Sequence, residues 1–234
     1  MLGRRNFIKS RRLQLFRLGL LGTVFLVVSC WASVPWALAK EKKTYFHKKY
    51  KFLLFFPAQY DLKVRGGRDF DFTSNGKTRL SLMVDDQLVW FIHHLVSGGQ
   101  SLIISRPGDD AMARLNKTSQ ENPDFFRRYA RQRAQAWCDA DGPESSTYCK
   151  EIHREKFFTS QNGLSCLELF LVMTRENYQA GTKETATVGP VYAVQVPGDE
   201  RPLVLLIYPP KGKLASAAVS QDAREIIESV EVHH

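Results

Sequence analysis

The chain has 234 residues and a formal net charge of +9. The excess is uneven: Arg4, Arg5, Lys9, Arg11, Arg12 and Arg17 stand in a stretch without a single Asp or Glu, and from Lys40 onward 27 basic residues face 24 acidic ones. A balance of +3 over the body argues against nucleic acid as partner, and four cysteines without a CxxC pair argue against zinc-ribbon or thioredoxin-like chemistry.

The basic start is followed by an uncharged run from Leu18 to Ala39, ending Val34-Pro-Trp-Ala37-Leu-Ala39. A basic region, an apolar region and an A-x-A ending are the three parts of a secretory signal, with Ala37 and Ala39 marking the cleavage site. Residues 1–39 are therefore expected to direct export to the periplasm or another extracytoplasmic space. Arg4-Arg5-Asn6-Phe7-Ile8-Lys9 resembles the twin-arginine signal of bacteria, and ordinary Sec export fits the segment as well. Val27-Val28-Ser29-Cys30 resembles a lipobox, and the 22 uncharged residues are long enough to span a bilayer. Cleavage after Ala39, lipidation at Cys30 and retention as an anchor all stay open, and each puts the remainder outside the cytoplasm.

Residues 40–49 read as a linker and 50–232 as a single domain. Its first strand is Tyr50 to Phe56, stopped by Pro57, which has no N–H to donate. Asp69 to Val84 reads as a hairpin, two alternating strands about the turn Asn75-Gly76. Gln87 to Val96 is an apolar stretch taken as extended, and a strand is expected at 101–105. Asp109-Asp110 opens a short helix.

A longer helix follows. Asn122 suits the N-cap and Pro123 the first position, and Phe126, Tyr129, Ala130, Ala134 and Trp137 recur on one face. It ends near Cys138, and a polar loop leads to Cys149. Glu155 to Arg175 reads as a second hairpin, with Asn162-Gly163 as a two-residue type I′ turn and a strand apolar on both faces after it. Residues 177–189 read as a polar loop, Pro190–Val196 and Leu203–Tyr208 as strands, and Ser220 as the N-cap of a terminal amphipathic helix.

An aromatic strand closed by Pro57, then hairpins, a helix, more hairpins and a terminal helix ending Glu228-Ser-Val230, resembles the PsbP-like family over about Tyr50 to Val232. The resemblance implies an α+β fold, an α/β/α sandwich around a mainly antiparallel sheet, and a non-catalytic binding or assembly role. It brings no metal-binding residue and no cofactor with it.

Cys138 and Cys149 flank a turn-rich loop in an oxidising compartment, which predicts a disulfide closing about 12 residues. Cys166, alone in a strand, reads as a small buried hydrophobe. His93-His94, if extended, point to opposite faces and cannot share one ion. Glu168 on an apolar strand reads as a paired carboxylate, and His233-His234 carries no signal. Arg127, Arg128, Arg131 and Arg133 crowd two turns of helix, a patch for a phosphate, a lipid headgroup or an acidic protein face, or else a solvated face. No G-x-S-x-G, P-loop, H-E-x-x-H or G-x-G-x-x-G occurs. The reading is an exported binding or assembly module whose partner is an envelope protein or an anionic membrane surface. The alternatives are an enzyme assembled from Glu168, His93, His153 and Cys166, or a membrane-anchored structural protein.

Overall fold

A computed structural model describes residues 41–96, 109–141, 145–198 and 201–233. The leader, with Cys30, Ala37 and Ala39, and the strand expected at 101–105 lie outside them. Glu41–His234 is a compact unit. Its strands are β1 (Lys42–His47), β2 (Phe52–Pro57), β3 (Asp61–Arg65), β4 (Asp69–Ser74), β5 (Lys77–Asp85), β6 (Ala140–Asp141), β7 (Ser145–Thr159), β8 (Ser165–Asn177), β9 (Thr182–Val196), β10 (Leu203–Tyr208) and β11 (Glu231–Val232). Its helices are α1 (Leu88–Val96), α2 (Asp109–Glu121), α3 (Pro123–Cys138) and α4 (Ala217–Glu228).

The fold is α+β, and the strand ladders among the described residues are antiparallel. Eight strands run in the order β3-β4-β5-β10-β9-β8-β7-β6, and a separate sheet runs β1-β2-β11. Alternation along the central strands divides the core into two. One side holds Phe70, Phe72, Leu80, Leu82, Val194 and Leu205 under Phe52, Leu54 and Phe56 of the small sheet and Ile226 and Ile227 of α4. The other holds Leu167, Leu169, Leu171, Val191, Val204 and Leu206 under Leu88 and Ile92 of α1 and Phe126, Tyr129, Ala130 and Ala134 of α3. At about 1.5–3 kcal/mol for each large apolar side chain buried, the two layers together dominate the stability.

Asn75-Gly76 forms the expected turn, with φ of 52° and 70°. Asn162-Gly163 does not. Ser160 pairs with Leu164 around a three-residue loop in which only Gly163 is left-handed, at φ 78°. Asn162 instead donates from Nδ2 to the Val230 carbonyl, 2.9 Å away, and fastens the hairpin end to the C-terminal segment.

Other expectations are corrected. The 40–49 segment is mostly β1, whose partner is β2. Gln87–Val96 is helical after its first residue, because an apolar run of that length has no periodicity to separate strand from buried helix. The loop expected over 177–189 is a hairpin, β8 and β9 running on past the body with only 178–181 between them. The N-cap of α4 is Ser216, whose hydroxyl accepts from the Val219 N–H, not Ser220. The second strand of the Glu155–Arg175 hairpin, β8, is interior, and β10 and β9 occupy the middle of the sheet.

Candidate functional site

The arginine helix α3 begins as its sequence dictates, with Asn122 Oδ1 accepting from the Asp124 N–H at 3.1 Å and Pro123 in the first turn. Burying Phe126, Tyr129, Ala130 and Ala134 lays it across β7 to β10, so its flanking residues meet the long strand β7. Three ties then run down that strand. Arg127 Nε and Arg131 Nε both donate to the carboxylate of Glu155, the latter at 2.5 Å. Gln135 Nε2 donates to the Lys150 carbonyl at 2.9 Å. At the far end Cys138 and Cys149 form a disulfide with Cα atoms 5.6 Å apart, and both residues are buried.

Charge is shared out accordingly. Partial burial alone would push the Glu155 carboxyl up, but hydrogen bonds from Arg131 and Arg127 outweigh it and hold the group below the usual carboxylate range. Arg133 leaves the cluster in the other direction, its Nε 2.7 Å from Asp85 Oδ2 in a contact whose angle is not that of a hydrogen bond. Arg128 is exposed and has no ion pair among the described residues. The four arginines therefore do not form one free patch: two converge on Glu155, one on Asp85, and one faces outward.

A second polar centre lies where β5 ends. Asp85 and Asp86 are both buried, 4% and 1% exposed. Asp86 receives Arg68 through both terminal nitrogens, at 3.1 and 2.8 Å, Arg201 at 3.1 Å and Gln87 Nε2 at 2.8 Å. Asp85 accepts from Tyr129 Oη at 2.7 Å and from the Gln87 N–H at 2.9 Å. Burial first, then the hydrogen bond to Asp85 and its charge, raises the Tyr129 hydroxyl far above its ordinary range, so it stays a donor. This network joins α3, the start of α1, the β3–β4 turn and the segment before β10. Two adjacent aspartates between an alternating strand and an apolar run were the available signal.

The third centre surrounds Glu168. Arg154 reaches Oε1 at 3.2 Å and Tyr192 Oη donates to Oε2 at 3.0 Å, with Ser220 Oγ 3.2 Å from the same hydroxyl. Glu168 is thus the paired carboxylate its sequence context suggested. Arg154 also stacks on Phe170 at 4.1 Å. Burial pushes the Cys166 thiol up to about 12, with the Glu228 charge adding to it. A thiol held in that state carries little thiolate at neutral pH and so is a poor nucleophile.

His93 and His94 sit on α1, half-buried and exposed respectively, and His153 is exposed on β7. Among the described residues no hydrogen bond joins any two of Glu168, His93, His153 and Cys166, and no group of three His, Cys, Asp or Glu could hold a metal ion. No helix among them is long and apolar enough to cross a membrane.

No protein-family profile matches the chain, and no curated protein does. Among solved structures it is similar to the solution structure of cyanobacterial PsbP (CyanoP) from Synechocystis sp. PCC 6803, at 13% identity and a TM-score of 0.38, over 86% of this chain and 98% of that one. It is also similar to a crystal structure from Bacteroides thetaiotaomicron VPI-5482, at 12% identity and a TM-score of 0.28, over 82% of this chain and 48% of that one. The first is a PsbP protein, the family whose order of elements the sequence resembles; the likeness is one of fold, and nothing about ligand or partner follows from it.

Proposed function

We propose that the domain is an extracytoplasmic binding or assembly module that acts by holding a partner in the envelope rather than by catalysis. The observation that carries the reading is the buried Cys138–Cys149 disulfide at the end of the α3–β7 clamp, a bond that persists in an oxidising compartment and fits the export signal read from residues 1–39. Two of the four groups that the sequence offered for chemistry have structural work instead: Glu168 lies between Arg154 and Tyr192, and Cys166 is held as a buried thiol. The partner class is an envelope protein or an anionic membrane surface. Crosslinking of native envelope fractions, followed by identification of what is joined to the chain, tests this. Recovery with an envelope component is expected, and a chain found free in the cytoplasm contradicts the reading.

A further inference from the structure

We infer that the outer face of the three-stranded sheet is a docking surface for an anionic phospholipid bilayer. This rests on the extracytoplasmic binding-module reading and names its partner. Strand alternation sends Tyr45 and His47 of β1 and Phe52, Leu54 and Phe56 of β2 inward. The register then pairs Phe46 with Leu53 and Thr44 with Phe55 on the opposite face. Phe46 is 45% exposed, with the His233 ring edge-on to it at 5.7 Å, and Leu53 and Phe55 are half-buried, so an apolar stripe crosses the outer face of the sheet.

Lysines frame that stripe. Lys42 shares its face, and Lys48, Lys49 and Lys51 are exposed in the turn joining β1 to β2. Lys43 is different: it points inward to the Tyr60 carbonyl at 2.9 Å and Asp61 at 3.1 Å. The acids nearby are Glu41 before β1 and Glu231 opposite Leu53, so basic residues predominate. The turn is pinned from beneath by His47. His47 Nε2 donates to the Gly67 carbonyl at 2.9 Å while Nδ1 accepts from the Tyr50 N–H at 3.3 Å, which fixes the ring beneath the turn, and Lys49 Nζ lies 5.0 Å above the Tyr50 ring.

The chemistry selects the occupant. Three apolar side chains are too few for a stable protein interface, which takes about 800 Å² from each partner. They suit shallow insertion at a bilayer surface, where lysine stems lie along apolar surface and their ammonium groups reach lipid phosphates. Basic residues near an anionic membrane each add to the attraction, and added salt screens it.

The test uses Glu41–His234, which contains both cores, in sedimentation with equimolar phosphatidylethanolamine and phosphatidylglycerol vesicles, and with phosphatidylcholine vesicles for comparison. Binding is expected to the anionic vesicles alone and to weaken with salt. The Lys42→Glu/Lys48→Glu/Lys49→Glu variant should lose about tenfold or more in partition, and Phe46→Ser should weaken binding even at low salt. Arg128→Glu on α3 should bind as the parent does. All these positions are exposed, so unchanged circular dichroism and melting are expected and are checked first. Parent and triple variant binding alike, or displacement of the parent by excess glycerol phosphate, would overturn the bilayer assignment. A chain that ignores anionic vesicles yet crosslinks to an envelope protein overturns this surface and leaves the module reading standing. A chain confined to the cytoplasm removes both.

Discussion

Replacing Glu155 by Gln keeps the shape of the α3–β7 clamp and removes its charge. The two guanidinium donors are 44% and 39% exposed while Glu155 itself is 10% exposed, so the pairs lie between a surface contact and a buried one. Charge-assisted hydrogen bonds contribute about 1.5–3 kcal/mol when shielded and surface ion pairs about 0–1 kcal/mol, which puts the loss at about 1–2 kcal/mol for both together. For the 194 residues of Glu41–His234, an unfolding entropy of about 2.1 cal/mol/K per residue converts this to a melting point lower by about 3–5 °C. The folded carboxyl titrates below its unfolded value, so its contribution is full above about pH 4.3 and is lost as the pH falls through the lower folded value. Melting and urea titration of parent and variant should therefore differ near neutral pH and converge in strong acid. A difference of equal size at both pH values, or none at neutral pH, would refute the clamp. The same variant unmasks Arg127 and Arg131, so any salt-sensitive anion binding by α3 should grow in it.

Two further outcomes follow from the covalent and buried ionic ties. Changing Cys138 and Cys149 to Ala opens a loop with a sequence separation of 11, which in the chain-entropy picture costs about 3 kcal/mol and about 7 °C in melting point; reductant should destabilise the parent and leave the variant unchanged. Changing Asp86 to Ala strands Arg68 and Arg201 around a site that is 1% exposed. The stranded guanidinium groups are 45% and 30% exposed and can be solvated, so urea unfolding should register a loss of about 1–3 kcal/mol, and a loss below about 0.5 kcal/mol would show that the network is not a structural tie.

Local signals in the sequence were reliable where one short segment decides the structure. Asn75-Gly76 sets its own hairpin, Asn122-Pro123 starts α3, and the apolar spacing of that helix is enough to bury Phe126 and Ala134. Where pairing with a distant segment decides, the sequence misled. Lys42, Lys43 and Thr44 are all exposed and show no alternation, so β1 exists because β2 supplies its ladder. The tips of β8 and β9 are polar on both faces for the same reason and read as a loop. The site suffered likewise. Four close arginines were visible, but Glu155 lies 24 and 28 residues from the two it pairs with, and Asp86 draws on Arg68 and Arg201 from opposite ends of the domain. Outward-facing Phe46, Leu53 and Phe55 carried no mark to separate them from their inward neighbours until the register was known.

The central claim is that this domain works outside the cytoplasm, and the state of its thiols in native cells tests that most directly. Cells are quenched in acid, the denatured chain is alkylated, and its modified cysteines and N-terminus are read together by mass spectrometry. The account predicts an intact Cys138–Cys149 bond, Cys166 as the only alkylated thiol beyond residue 40, and an N-terminus at Lys40. Cys138 and Cys149 both alkylated in a steady-state chain that still begins at Met1 would contradict it.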